Sequence, residues 1–250
     1  MLQKYEIKKL ININFLADIF RVIRTGSSPP LHVNEVYPFS PFPPEQVGGR
    51  LITLERARPN SGFFFNDAAF DWLFPEHLQL ISLNHWTPVR VARAAAGYLA
   101  APGARILDIG SGTGKFCLTG AYLYPDCQYY GVEQRGELIY HAERSRDYLG
   151  LHNTSFLHAN VTQVNFAEFD HFYFYNAFYE NIDRENAIDD TIEVSKGLYD
   201  YYATFLYHAL KHRPAGTRIV TYQCDGDIIP PGYRLAQMSF NTLLRLWIKI

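Results

Sequence analysis

The sequence predicts an α/β protein built on a mostly parallel, doubly wound sheet. Three observations carry that prediction. Short apolar runs alternate with amphipathic stretches from residue 105 to residue 222, the pattern of strands joined by crossover helices. A glycine-rich turn, Gly110-Ser-Gly-Thr-Gly114, directly follows the first of these runs. Such a turn lets the chain reverse sharply from a buried strand and leaves its backbone uncovered for a ligand. Two further runs, 233–240 and 243–250, close the chain with only a short connection between them, which predicts an antiparallel pair.

The bulk properties agree. A chain of 250 residues is long enough for one large α/β domain with an N-terminal extension. Its 48% apolar content supports a sizeable core. A formal charge of −2 gives no support for a general nucleic-acid binder, which is more often basic. Cys117, Cys127 and Cys224 lie far apart, with neither metal-ligand nor redox spacing, so a reducing compartment is expected. No run of about 18 apolar residues exists to span a bilayer. Lys4, Lys8 and Lys9 precede an apolar stretch, but Asn12, Asn14, Asp18 and Arg21 interrupt it and no small-residue cleavage site follows. A cytoplasmic protein is expected.

Taken in order, Ile7, Leu10, Ile11, Phe15, Ile19, Phe20 and Ile23 have the spacing of an amphipathic helix over 4–24. Four prolines between Val36 and Pro44 exclude a regular helix there, and 50–56 reads as a short strand. Residues 1–80 are therefore assigned to an accessory or lid segment and 81–250 to the main domain. Val89, Val91, Ala92, Ala95 and Leu99 predict a helix over 88–100, with Thr87 as its N-cap and Pro88 in its first position. Pro102-Gly103 stops it before a first strand at 105–109. Helix 115–124, strand 128–133, helix 136–149 closed by Gly150, strand 154–158 and strand 171–175 follow. A long helix is predicted over 188–212, with Asp189 and Asp190 near its start and Lys211, His212 and Arg213 near its end, matching the helix dipole at both poles. Pro214-Ala-Gly216 precedes a fifth strand at 218–222.

Spacing decides what the glycine turn can hold. A phosphate-binding P-loop needs Gly, four residues, then Gly-Lys-Ser/Thr. Here Ile109 occupies the first glycine position and Phe116 the hydroxyl position, so no magnesium ligand is present. A dinucleotide fingerprint needs Gly-x-Gly-x-x-Gly. Gly110 and Gly112 fit, but Lys115 stands at the third position and Gly114 comes one residue early. Asp108, just before the turn, would repel a pyrophosphate and suits a ligand carrying ammonium and sulfonium charges. S-adenosylmethionine is such a ligand.

With Leu107-Asp-Ile-Gly-Ser-Gly-Thr-Gly114 followed by Gly131-Val-Glu133 at the next strand end, the sequence resembles the class I S-adenosylmethionine-dependent methyltransferases. The resemblance covers roughly residues 85–250. It implies a seven-stranded sheet in the order 3-2-1-4-5-7-6 with the last strand antiparallel. It places Asp108, Gly110, Ser111, Gly112 and Gly114 under the methionine and ribose part of the cofactor, with Asp108 near its amino group. Glu133 matches the acid that takes both ribose hydroxyls, and one carboxylate can accept from two vicinal hydroxyls. Asn160, after strand three, departs from the commoner aspartate, but its side-chain oxygen can still meet the adenine amino group.

The fourth strand runs into Asn176-Ala-Phe-Tyr-Glu-Asn181, and ligands in open α/β sheets gather at such strand ends. Asn176 is a candidate both for cofactor contact and for holding an amine or hydroxyl. Tyr179 and Glu180 are candidates for base or orienter. The stretch is similar to the Asn-Pro-Pro-Tyr motif of amino-group methyltransferases, with Ala177 and Phe178 replacing both prolines. It is also similar to the Asn-x-Phe segment of Dot1-type lysine methyltransferases. Tyr173 and Tyr175, or their neighbours Phe172 and Phe174, are expected to pack the sheet. His85-Trp-Thr-Pro88 is expected near the methionine end. Phe63, Phe64 and Phe65 are expected to serve the core or an interface, with closure over the site as the alternative.

The expected function is S-adenosylmethionine-dependent methyl transfer to a nitrogen or oxygen of a protein or small molecule. Nucleic acid is not favoured as partner, and neither a membrane nor a metal is expected. The alternative is a cofactor-binding module of the same fold without transfer activity. A nicotinamide oxidoreductase is disfavoured by the glycine spacing.

Overall fold

A computed structural model describes residues 61–224 and 226–250. The helix expected at 4–24, the proline-rich stretch and the strand expected at 50–56 lie outside the described residues. The strands are β1 (Arg105–Ile109), β2 (Gln128–Glu133), β3 (Thr154–His158), β4 (His171–Phe174), β5 (Arg218–Tyr222), β6 (Tyr233–Ser239) and β7 (Leu244–Lys249). They form one sheet in the order β3-β2-β1-β4-β5-β7-β6. β1 to β5 pair in parallel, and β7 runs antiparallel to both β5 and β6. Both the expected strand order and its reversed last strand are therefore present.

Each central strand is buried on both faces, and alternate side chains feed two separate cores. Ile106, Tyr173 and Val220 point into one, together with α1 (Asp67–Asp71), α2 (Glu76–His85), α3 (Val89–Leu99), α4 (Lys115–Leu123) and α5 (Gly136–Leu149). Leu107, Phe172, Phe174 and Ile219 point into the other, covered by α6 (Lys196–Lys211) through Leu206 and Leu210. Near-continuous apolar strands are what a parallel sheet covered on both faces requires. Both halves of the 172–174 aromatic run are thus core residues: Tyr173 is stacked on Phe116 at 4.1 Å on one face, and Phe172 on Phe166 at 5.3 Å on the other.

Two expected helix starts are corrected. The long helix begins at Lys196, not near 188, because Ser195 caps it by accepting from the Leu198 N–H at 3.2 Å. Asp189 and Asp190 lie outside it. Asp189 instead folds onto Thr191, accepting from its N–H at 3.0 Å and its hydroxyl at 2.7 Å. At α3 the cap position is Pro88, and Thr87 is not the cap. The Thr87 hydroxyl lies 3.0 Å from the Tyr173 hydroxyl, while the orphan N–H of Val89 is taken by Asp67 Oδ1 at 2.8 Å. A carboxylate from another helix does the capping. The aromatic triplet divides: Phe64 is buried and stacked on Tyr122 at 4.2 Å, whereas Phe65 is 83% exposed.

Candidate cofactor site

The glycine turn lies at the carboxyl end of β1, between the parallel strands β2 and β4. Gly110, Gly112 and Gly114 all have positive φ, at 74°, 54° and 79°, which side chains other than glycine rarely adopt. They are also sites of close approach. A Cβ at Gly110 would collide with the side chain of Ala177, and one at Gly112 would come within 2.6 Å of the Trp86 ring. At Gly114 the obstacle is Phe156. The Gly110 and Ser111 N–H groups both donate to the Val132 carbonyl at 2.9 Å, so the turn is tied to the end of β2.

Above the turn lies a cleft whose walls include Asp108, Gly110, Ser111, His85, Trp86 and Tyr175. The segment 85–87 therefore borders the same cleft as Asp108 and Gly110. Asp108 is only 4% exposed, and its carboxylate accepts from the Cys117 thiol across 3.6 Å. Burial pushes its pKa up to about 8, with Glu133 adding to the rise and the thiol opposing it. A cation brought into the cleft would reverse that balance.

Glu133 is likewise buried, and burial raises its pKa against the pull of three backbone N–H groups. Oε1 accepts from Gln134 at 2.8 Å and from Arg135 at 2.9 Å, and Oε2 accepts from Gly112 at 3.2 Å. The acid at the end of β2 and the glycine turn are thus one hydrogen-bonded unit. Each carboxylate oxygen can accept more than one hydrogen bond, which leaves room for a hydroxyl at Oε2.

The remaining candidates are less gathered. Asn160 caps a 3₁₀ turn: Oδ1 accepts from the Thr162 N–H at 3.0 Å and hydroxyl at 2.9 Å, and Nδ2 donates to Tyr202 at 2.8 Å. Its oxygen is therefore already engaged where an adenine amino group was expected to meet it. Asn176 has φ 44°, a left-handed conformation that asparagine tolerates. That bend turns Ala177 onto Gly110. Glu180 is gripped at both oxygens by Arg135, at 3.0 and 2.8 Å. Asn160, Asn176, Tyr179 and Glu180 are not among the cleft-lining residues.

Two features of this region escaped sequence reasoning. Lys115 is 3% exposed and its ammonium pairs with Asp67 at 2.7 Å and Asp71 at 2.8 Å, which fastens α1 to the start of α4. Arg135 joins Glu180 and, through Nε at 3.0 Å, Asp189. Neither pairing has a local signal, because the partners lie 44 or more residues away.

A glycine turn at the end of β1, an acid at the end of β2 and a sheet ordered 3-2-1-4-5-7-6 are the arrangement that the sequence resemblance implied. Residues 100–197 match the sequence model of a family described as a methyltransferase domain. A segment of 55 residues is 51% identical to a tRNA (guanine-N(7)-)-methyltransferase of Synechococcus sp. (strain JA-3-3Ab), covering 22% of this chain and 23% of that protein. The same enzyme of Microcystis aeruginosa is 40% identical over 55 residues, 22% of this chain and 26% of its own length. The match thus spans about a quarter of these relatives. Among solved structures, TrmN from Thermus thermophilus is similar over 68% of this chain and 51% of its own, at 20% identity and a TM-score of 0.49. A methyltransferase from Aquifex aeolicus is similar over 71% of this chain and 100% of its own, at 14% identity and a TM-score of 0.45. Among the described residues, no helix is long and apolar enough to cross a membrane, and no group of three or more His, Cys, Asp or Glu side chains could hold a metal ion.

Proposed function

We propose that the protein is an S-adenosylmethionine-dependent methyltransferase acting in the cytoplasm on a nitrogen or oxygen of a protein or small molecule, with residues 1–80 as an accessory segment. The observation that carries the reading is the joined pair of buried acids around the glycine turn: Asp108 in the cleft wall and Glu133 bonded to the Gly112 N–H at 3.2 Å. The donor set fits the cofactor chemically. Asp108 suits an ammonium group, Glu133 a pair of hydroxyls, and Ser111 Oγ is a buried hydroxyl with no partner of its own. When bound, the cofactor would supply an electrophilic methyl group for in-line displacement. The protein's work is then to hold and align. Gly110, Ser111, Gly112 and Gly114 form the floor, and Asn160 would serve the adenine side through its neighbouring backbone, since its oxygen is engaged. Asn176 and Tyr179 would orient the acceptor. Glu180 is proposed as an orienter acting through Arg135 rather than as a base, because its carboxylate is committed to a guanidinium.

The curated relatives are tRNA methyltransferases by name, over a shared segment of 55 residues. A net charge of −2 does not favour a nucleic-acid acceptor. A radiolabelled methyl-transfer screen across protein, tRNA and metabolite fractions decides between these acceptors, and label in tRNA alone would replace the one proposed. A second reading, a binding module without transfer, is supported by Ala177 and Phe178 in place of two prolines and by the pairing of Glu180. It predicts cofactor binding without turnover in every fraction. Titration calorimetry with S-adenosylhomocysteine tests the common premise. Binding by the wild type, weakened at least about tenfold by Glu133→Ala through loss of hydrogen bonds to a charged group, is expected. A wild type that takes up no ligand overturns both readings.

A further inference from the structure

The two segments that leave the strands flanking β1 are joined to each other by a buried ionic knot. Arg135 stands two residues beyond Glu133, and its own N–H donates to Glu133 Oε1 at 2.9 Å. Its side chain is only 3% exposed. Nη1 and Nη2 donate to the two oxygens of Glu180 at 3.0 and 2.8 Å, and Nε donates to Asp189 at 3.0 Å. The planar fork of a guanidinium is suited to such a bidentate grip with a third bond at its base. Burial alone would lower the arginine's pKa, but Glu180 and Asp189 outweigh it and raise the value.

The placement matters more than the strength. β2 and β4 lie on either side of β1, so a bond between residues that follow them crosses the end where the glycine turn lies. The segment held by that bond also touches the turn, since Ala177 fills the space a Cβ on Gly110 would need. Beyond Glu180 the segment closes on itself: the Asn181 amide donates to the Phe178 carbonyl at 3.0 Å, and Arg184 donates to the Val194 carbonyl at 2.7 Å. A buried ion pair is seldom the most stable way to join two elements, and well-packed apolar side chains often serve better. An ionic joint can, however, exchange its partners for water and reopen, which apolar packing does at greater cost.

We propose that Arg135 is a positioning residue that latches residues 176–189 over the glycine turn, so that cofactor release requires the Arg135–Glu180 pair to open. The inference rests on the cofactor reading above and goes beyond it, because it assigns retention of the ligand to residues that need not touch it.

The test uses the full chain with S-adenosylhomocysteine, combining stopped-flow release rates with amide hydrogen exchange over 176–192. Glu180→Gln keeps the shape and removes the charge. It should accelerate release by about thirtyfold, the low end of what removing one partner of a buried charge pair does, and it should speed amide exchange in the segment. Arg135→Lys should behave similarly, because an ammonium lacks the fork. The double exchange Arg135→Glu with Glu180→Arg should recover part of the lost retention. Asp189→Asn, at a more exposed carboxylate, gives a smaller change and a second route if Glu180→Gln folds poorly. Wild-type binding with release and exchange unaltered in Glu180→Gln and Asp189→Asn would overturn the latch while leaving the cofactor reading intact. No binding by the wild type would sink the cofactor reading, and the latch with it.

Discussion

At the scale of single residues, Asp108 is the most informative group. Its folded pKa, about 8, lies above the unfolded 3.8 because burial disfavours the charged form. The folded protein therefore holds this proton longer than the unfolded chain. The sign follows: the contribution is fully present below about 3.8 and is lost as pH rises through about 8. Asp108→Asn should remove this slope, so chemical denaturation between pH 4 and pH 8, in the range set by linkage, should show wild type losing stability relative to the variant as pH rises. A cationic ligand beside Asp108 should ionise it. Calorimetric titration of S-adenosylhomocysteine in buffers of different ionisation enthalpy should detect proton release near neutral pH that fades once the carboxyl is already ionised. Release that does not vary with pH would show that Asp108 does not meet the ligand's amino group.

At the scale of elements, one buried ammonium fastens α1 to the start of α4. Lys115 is held by Asp67 and Asp71, and Asp67 also caps α3 through Val89. Lys115→Met would leave the buried Asp71 carboxylate without its partner, a loss of about 3 kcal/mol or more when a buried pair is broken. Urea denaturation should show it as a lowered midpoint with little change in slope. The start of α6 is a smaller matter. Ser195→Ala removes a cap hydrogen bond of 3.2 Å and should cost about 1 kcal/mol, measurable in the same way. An effect of Ser195→Ala as large as that of Lys115→Met would mean that the cap also holds the 184–194 segment.

At the scale of the whole molecule, the cleft is a contact between strand ends, so a ligand there should stabilise the fold. At a concentration about 100 times its Kd, S-adenosylhomocysteine should add about 2.7 kcal/mol. For a domain of this size that is a rise in Tm of about 5–10 °C, readable by differential scanning fluorimetry. Glu180→Gln should lose part of this shift, because faster release at an unchanged association rate weakens binding.

Much of this architecture was legible along the chain. The seven strands, the αL glycine after 136–149 and the glycine turn each follow from patterns a few residues long: alternation, helical spacing and glycines at alternate positions. The positions of Asp108 and Glu133 at the strand ends were legible for the same reason. Tertiary structure alone decided which charges meet. Asp189 looked like the start of a helix and became a partner of Arg135. Val89 needed a cap, and Asp67 supplied it from 22 residues away. Glu180 read as a candidate base or orienter and is bound at both oxygens by Arg135. The physical reason is common to all three. Backbone periodicity is set by neighbours in sequence, whereas an ion pair needs only proximity in space, and the sheet order 3-2-1-4-5-7-6 brings together strand ends that the sequence keeps far apart.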